Sequence, residues 1–400
     1  MTIDAAAERM ARFLGEQPYV EVWGHHDADG IMAASLVCHA LWRRGLGFRL
    51  RATDRMPVLE PGVPTLLCDL GAGIDDLPAH VAVIDHHAPA ATGEGPVLNP
   101  HLEGLDGERV LATAALAYGV ANRLADCRDL AGLAAAGVIG DGQAFEAENA
   151  ELLNEGIVDG VLELERGLVL PGASISEKLE LATDPFLPGI SGDAGRVREL
   201  LRASLGEDGP ALDLLLSLVV LDTAREAAPG ALESLWGDRV LTPRETVGDA
   251  RTLAAVVDAC GKAGRGGLAA SVCLRAPGAA DEARLVMADH RRRVIGAIAA
   301  AVPVEEAAIA FRIEDPRLAS DVASALAGPL GRPVLIAAGT NGSVRLSARG
   351  DGAVPLGPLL RQLAGEAGGN GGGHARRAGA VVPAAAFPAV AAAFAEAIGA

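Results

Sequence analysis

The chain has 400 residues, half of them hydrophobic and 22% charged, a composition that excludes intrinsic disorder and is enough for two or three compact domains. Acidic residues outnumber basic ones 52 to 34, and the formal net charge of −18 excludes a uniformly basic nucleic-acid binder; any polyanion has to be met by a local patch. With only 3 Trp, 2 Tyr and 7 Phe, the core has to be built from Ala, Val, Leu and Ile.

In chain order, short apolar runs alternate with helix-like stretches over the first 150 residues. Tyr19–Gly24, Gly47–Thr53, Pro64–Leu70, Val81–Asp85 and Pro96–Asn99 read as buried strands bounded by Gly, Pro or Asp, with helices at Ile31–Arg44 and Arg109–Ala125. This alternation predicts an α/β fold, a mostly parallel sheet flanked by helices on both faces, with ligand sites beyond the carboxyl ends of the strands. Residues 128–265 read as mainly helical, with turns at Pro171-Gly172, Pro188-Gly189 and Pro229-Gly230. The glycine-rich stretch Cys260–Gly267 reads as a boundary. Beyond it, strands are expected at Ala270–Arg275, Ala308–Ile313, Pro333–Ala338 and Ser343–Ser347, and helices near Arg292–Ala301, Arg317–Ala327 and Ala386–Ile398. Gly339-Thr340-Asn341-Gly342 is a hairpin signal. The domain expectation is 1–215 for a catalytic domain, 216–265 for a helical connector and 266–400 for a smaller α/β domain that grips substrate.

The five cysteines, Cys38, Cys68, Cys127, Cys260 and Cys273, form no CxxC pair and no zinc spacing, and read as free thiols of a reducing compartment. Met1–Gln17 carries charges at intervals, unlike a secretory leader, and the apolar stretches Leu212–Leu221 and Ala384–Ala400 are short or interrupted. The expectation is a soluble cytoplasmic protein.

Four groups of acidic and histidine residues fall at the expected strand ends. His25-His26-Asp27-Ala28-Asp29-Gly30 follows the first strand, where Asp29 alone could serve as a helix cap, but the flanking histidines add metal-competent donors. Asp69 ends the third strand and Asp85-His86-His87 the fourth; Asp141 stands in Val138–Gly142. Singly, Asp69 and Asp141 are ordinary turn residues. Together they form a cluster, because neighbouring strand ends lie about 5 Å apart. Carboxylates so crowded require cations, and two divalent ions about 3.5–4 Å apart sharing one carboxylate would favour in-line attack at phosphorus. Downstream, Gly371-Gly372-Gly373 leaves backbone N–H groups open to a phosphate, or is simply a flexible loop; His374 adds a donor, and Arg349 can grip a phosphate bidentately. Arg345, Arg376 and Arg377 would extend that basic track, whereas His290-Arg291-Arg292-Arg293 reads as a solvated helix face.

His-x-Asp-x-Asp-Gly at 25–30, Asp69, Asp85-His86-His87 and Gly140-Asp141 follow the order of the four motifs of the DHH phosphoesterases. Gly371-Gly372-Gly373-His374 with Ala378-Gly379 resembles the GGGH signature of that family's second domain, and Ser347-Ala348-Arg349 resembles its substrate-phosphate element. Asn99-Pro100-His101 is similar to RecJ-like members. The resemblance implies an N-terminal DHH domain and a C-terminal DHHA1-type domain. It implies two Mn²⁺ ions, with Mg²⁺ as the alternative: His25 and Asp27 on one ion, Asp29, His86 and Asp141 on the other, and Asp69 bridging. Asp85 would orient its neighbours and His87 reach a substrate phosphate, while Ser347, Arg349, Gly372, Gly373 and His374 would bind substrate. Small-nucleotide members carry a histidine four residues before the first Asp, where this chain has Trp23; here it stands two before, as in the archaeal RecJ-like branch. That branch implies an exonuclease acting on single-stranded DNA or RNA in a cleft between the domains, with a replication or repair protein as partner. The alternatives are a small-nucleotide phosphodiesterase, of nanoRNase or cyclic-dinucleotide type, and a non-catalytic replisome scaffold.

Overall fold

The structure is a computed structural model that describes residues 2–89, 94–206, 209–305, 307–340 and 342–399. The chain runs α1 (Ile3–Gly15), β1 (Tyr19–His25), α2 (Ala28–Arg43), β2 (Gly47–Thr53), β3 (Thr65–Cys68), β4 (Val81–Ile84), β5 (Val97–Leu98), α3 (Gly107–Val110), α4 (Thr113–Leu124), α5 (Ala131–Gly140) and α6 (Ala147–Val158). There follow β6 (Glu163–Leu168), α7 (Ile175–Glu180), α8 (Ala194–Ala203), β7 (Leu205–Gly206), β8 (Gly209–Pro210), α9 (Leu212–Thr223), α10 (Pro229–Glu233), β9 (Trp236–Leu241), α11 (Ala250–Lys262), α12 (Gly266–Cys273) and α13 (Ala279–Ala299). The last part holds β10 (Val302–Val304), β11 (Ala307–Ile313), α14 (Ala319–Leu330), β12 (Val334–Thr340), β13 (Ser343–Arg349), α15 (Leu356–Glu366), β14 (Asn370–Gly373), β15 (Arg377–Pro383) and α16 (Phe387–Ala397). Two compact units result: Met1–Gly167 with Asp238–Met287, and Leu168–Gly237 with Ala288–Ala400. Residues 216–237 thus fall in the second unit and 238–265 in the first.

The first unit is built on a five-stranded parallel sheet in the order β2-β1-β3-β4-β5. Side chains alternate between its faces. Val20 and Val22, Leu66 and Cys68, Ala82 and Ile84, and Leu98 enter the larger core with α1, α2, α4 and α5. The other parity, Leu67, Val81 and Val83, packs with Trp23, Met56, Leu59, Leu70, Leu77 and Val97. Among the described residues that smaller cluster holds no helical side chain, so the helices gather on one face. Its loop members come partly from Asp54–Pro64, where Pro57, Pro61 and Pro64 exclude a helix.

The second unit carries a six-stranded mixed sheet in the order β10-β11-β12-β13-β15-β14. One face (Leu335, Ala337, Val344, Leu346, Ala348, Ala378, Ala380) packs on α15 and α16. On the other, Val334, Ile336 and Ala338 pack on α14 and Val294 of α13. The Gly339–Gly342 hairpin joins β12 to β13 with Thr340 opposite Ser343; its Asn341 lies outside the described residues. A third cluster, over α7, α8 and α9, fills the segment before residue 237.

Several expectations change. Ala270–Arg275 is not a strand: it falls largely in α12, whose short apolar run has no periodicity to tell it from one. The span 128–265 is mainly helices and loops, but it also contains β6 and β9, which pair with each other, and the short β7–β8 pair. The glycines at 371–373 form an edge strand rather than a loop. Cys260–Gly267 is no domain boundary: it takes in the end of α11, the turn at 263–265 and the start of α12, all within the first unit. All five cysteines are free and buried. Among the described residues no helix is long and apolar enough to cross a membrane.

Candidate metal centre

Three parallel strands end side by side, because β1, β3 and β4 are adjacent in the sheet. His25 is the last residue of β1, Asp69 follows β3, and Asp85-His86-His87 follows β4. Gly24 and Gly30 allow the tight path of the first loop: a Cβ on Gly30 would come 2.6 Å from His25 Cβ, and one on Gly24 would come 2.5 Å from the Gly30 carbonyl oxygen. Asp27 caps α2, accepting from Gly30 N at 3.0 Å. Asp29, the alternative candidate for that cap, instead caps a different helix: its two carboxylate oxygens accept from Thr113 N at 2.9 Å and Ala114 N at 2.7 Å, the first amides of α4. Asp141 does not follow a strand; it is the C-cap of α5.

Asp69 is the centre of the arrangement. Its φ of 59° puts it in the left-handed region, which Asp tolerates better than most side chains. Its Oδ2 lies 3.3 Å from His25 Nδ1, and its Oδ1 lies 3.5 Å from both His86 Nε2 and His87 Nδ1. Two donor groups therefore share this one carboxylate: His25, Asp27 and Asp69, and Asp69, His86 and His87, each with its ligand atoms within 4.8 Å of one another. His25 Nδ1 is 2.8 Å from Asp27 Oδ2 yet makes no hydrogen bond, although it is buried. A nitrogen orphaned between two carboxylates, in a set of imidazole and carboxylate donors, fits a divalent cation of the Mn²⁺, Mg²⁺ or Zn²⁺ kind. Asp141 Oδ2 is 3.8 Å from His86 Nδ1. Asp29 is buried and does not belong to either group of donors.

A supporting shell orients these groups. Asp85 is buried; it accepts from Ala72 N at 3.0 Å and from His87 N at 3.0 Å, and its Oδ1 is 2.8 Å from His87 Nδ1, so it fixes the His87 ring. His86 Nδ1 faces Gly107 O at 2.9 Å, which leaves Nε2 toward Asp69. Residues not singled out in the sequence complete the shell. Thr113 donates its hydroxyl to Asp69 at 3.1 Å, Gln143 donates to Asp141 at 2.9 Å, and Asn149 donates to Gln143 at 2.8 Å. The position of Gln143, two residues after Asp141, was the one signal for it; Thr113 and Asn149 are brought in only by tertiary packing.

Burial and crowding shift the titrations. Burial works against the charged form of each histidine but is outweighed by nearby carboxylates: Asp27 and Asp69 raise His25 to about 11, Asp141 and Asp69 raise His86 to about 10, and Asp85 and Asp69 raise His87 to about 9. Burial, with like charge from Asp69 and Asp141, pushes Asp29 up; burial and Asp27 push Asp69 up. Asp27 and Asp85 are held low against burial by His25 and His87. Raised histidines contribute stability that is complete below their ordinary 6.5 and is lost as pH rises through 9 to 11. Asp29 and Asp69 act in the same direction from lower pH, whereas Asp27 and Asp85 contribute above the ordinary carboxylate range and are lost only in strong acid. In EDTA, the melting temperature is therefore expected to fall between pH 6.5 and 10. Added Mn²⁺ should reverse the fall, because the ions bind the deprotonated ligands. A flat profile in calorimetry over that range would contradict these pairings.

In the second unit, Ser347 stands opposite Gly379 on β15, which stands opposite Gly372 on β14; Arg349 stands opposite Arg377. Arg345, Arg377, Gly379 and Val381 are exposed on that face, while Gly373 O and His374 O approach α15 so closely that a Cβ on Gly357 would collide with Gly373 O. Ser347, Gly379 and Gly372 thus form a row of small residues with arginines on either side. Arg376 is exposed beside it. His290, by contrast, is buried with Nε2 3.3 Å from Asp321, Arg291 donates to Leu181 O, and Arg293 pairs with Asp315, so this run serves the fold as much as a solvated face.

The family model described as DHH family, N-terminal domain, matches residues 19–138, and the DHHA1 domain model matches 305–400; together they take in more than half of the chain. This chain belongs to the DHH family of phosphoesterases. The uncharacterized protein MJ0831 of Methanocaldococcus jannaschii is 24% identical, with 93% of this chain and 91% of that protein aligned. Among solved structures, RecJ in complex with Mn²⁺ from Thermus thermophilus superposes with a TM-score of 0.60 at 21% identity, over 98% of this chain and 54% of that one; the DHH-family chain is thus about half the length of that RecJ. CDC45 from Entamoeba histolytica superposes with a TM-score of 0.66 at 10% identity, covering 99% of both chains. An exonuclease RecJ bound to manganese gives 0.54 at 19% identity, over 100% of this chain and 94% of that one. These likenesses establish the fold: a DHH domain with its parallel sheet, then a DHHA1 domain.

Proposed function

We propose that this DHH-family protein is a manganese-dependent exonuclease of the archaeal RecJ-like type, which removes nucleotides from an end of single-stranded DNA or RNA in the cytoplasm. The observation that carries the reading is the shared carboxylate: Asp69 stands between two groups of imidazole and carboxylate donors, as a two-ion centre requires. His25 and Asp27 would hold one ion, His86, Asp29 and Asp141 the other, and Asp69 both. Bound there, the ions supply water activation and charge neutralisation at phosphorus, with Mg²⁺ as the alternative to Mn²⁺. The protein's own part is orientation. Asp85 fixes His87, whose raised proton affinity lets it present an N–H to a substrate phosphate oxygen at neutral pH. Ser347, Arg349, Gly372, Gly373 and His374 would grip the phosphates of the strand on that row of small residues. RecJ structures that resemble this chain are described as an exonuclease bound to manganese and as complexes with Mn²⁺ or Mg²⁺, which supports the same ions here. In this reading catalysis belongs to the first unit and the grip to the second. With so few aromatics for a long stacking track, a replication or repair protein would extend the grip.

The test is digestion of 5′- and 3′-labelled single-stranded DNA and RNA 20-mers and of dinucleotides with Mn²⁺, with an Asp85→Ala, His86→Ala double variant as control. A ladder shrinking from one end, absent in the control, is the expected result and fixes the polarity. Cleavage of the dinucleotide alone moves the protein to the small-nucleotide phosphodiesterases. No hydrolysis by a manganese-loaded preparation leaves the scaffold reading.

A further inference from the structure

We propose that Ser320 and Ser324 of α14 are positioning residues that hold the Arg349 guanidinium as a preformed site for a single phosphate group of the substrate; this rests on the reading of the second unit as the substrate grip. Ser320 and Ser324 are four residues apart and lie on one face of α14. Arg349 Nε donates to Ser324 Oγ at 3.0 Å and Nη2 to Ser320 Oγ at 2.5 Å, while Nη1 donates to Ser347 Oγ at 3.3 Å and to Ala348 O at 2.9 Å. Every one of these partners is neutral. Among the described residues, no carboxylate lies within ion-pair distance of this guanidinium, whereas Arg275, also partly withdrawn from water, is clasped by Asp129 and Glu245.

Burial, and then the Arg377 charge across the strand, lower Arg349 to about 10, and Asp321 and Asp184 only partly compensate. A cation withdrawn from water with no countercharge is costly unless a ligand supplies one. The chemistry of the cradle says which. A hydroxyl that accepts from an N–H retains its own hydrogen to donate. Ser320, Ser324 and Ser347 therefore offer three O–H donors around one guanidinium, which suits the several oxygens of a tetrahedral dianion or a phosphodiester better than a planar carboxylate. Ser347 is already part of the expected phosphate element; the two α14 serines are not, and they come from a helix some 25 residues away in sequence. The rival explanation is that the serines only staple α14 to β13.

The full-length protein in EDTA would be titrated with inorganic phosphate by calorimetry, and with Mn²⁺ would be assayed on the labelled 20-mer. Compared with wild type, S320A/S324A is expected to weaken phosphate binding and to raise KM at least about tenfold, with kcat held within about twofold, since hydrogen bonds to a charged group are lost from binding and not from the chemistry. S320T/S324T, which keeps the hydroxyls, should recover most of the affinity, and R349Q should abolish phosphate binding. The proposal is overturned if wild type takes no phosphate, or if the alanine variant matches wild type in both affinity and KM. The single variants S320A and S324A are carried alongside in case the double variant misfolds, and must each show part of the loss. Phosphate binding that behaves as expected in a protein that hydrolyses nothing would remove the nuclease reading while leaving the cradle intact.

Discussion

Asp69→Asn is expected to lower hydrolysis by at least about a thousandfold, because it removes the carboxylate shared by both donor groups. Bound manganese, measured by elemental analysis after desalting, should fall from two ions per chain to one or none. The substitution isolates the charge. Asn is nearly isosteric and also accepts the left-handed φ of 59° at this position, so the backbone has no reason to move. Its side-chain oxygen can still accept from Thr113. The wild-type carboxyl is pushed up by burial and by the Asp27 charge, so a neutral amide relieves repulsion in the metal-free state. The apo variant should therefore melt no lower than wild type even as activity collapses. Activity within tenfold of wild type would rule out a shared ligand at Asp69.

Asp29→Ala is expected to lose activity and also to destabilise the fold, unlike Asp69→Asn. Its carboxylate is the cap of α4, and removing it leaves the Thr113 and Ala114 amides buried without acceptors, at a cost of about 2–4 kcal/mol. Asp29→Asn keeps one acceptor oxygen and should recover roughly half of that loss without recovering the proposed metal ligand. Urea unfolding of the three proteins in EDTA measures the cap alone; repeating it with Mn²⁺ adds the ligand contribution. Equal stability of all three in EDTA would show that the helix terminus is satisfied some other way.

The candidate metal centre was more legible in the sequence than the architecture around it. Strand ends were readable because buried parallel strands are short apolar runs that stop at Gly, Pro or Asp, and His25, Asp69 and Asp85–His87 lie where those runs stop. Asp141 was placed at a strand end because Val138-Ile139 is β-branched and apolar, and a fully buried helix such as α5 shows no alternation to mark it. Ala270–Arg275 was misread because the apolar run is too short for its helical spacing to stand out. The glycine run at 371–373 could not be recognised as a strand, since its pairing is set by tight packing that a sequence does not display: a Cβ on Gly371 would come 2.8 Å from Leu360 O, and one on Gly373 would collide with Arg377 O. The capping of α4 by Asp29 was invisible for a different reason, since donor and acceptor stand 84 residues apart, although the helix itself is expected within Arg109–Ala125.

The interleaved path of the chain has a consequence for biosynthesis. The first unit is not complete when residue 167 is made: α11 and α12, which pack against α2 and α5, belong to the returning segment Asp238–Met287. Gly261 of α11 sits so close to the loop after β1 that a Cβ there would overlap His26 O. At about 5–20 residues per second, the loop that bears His25, Asp27 and Asp29 leaves the ribosome roughly 10 to 50 seconds before the helix that closes over it. Residues 168–237, an entire stretch of the other unit, are translated in that interval. The nascent chain must hold its acidic, histidine-rich strand ends unshielded until the return crossing is made, and a fragment cut at residue 167 would stay in that unfinished state.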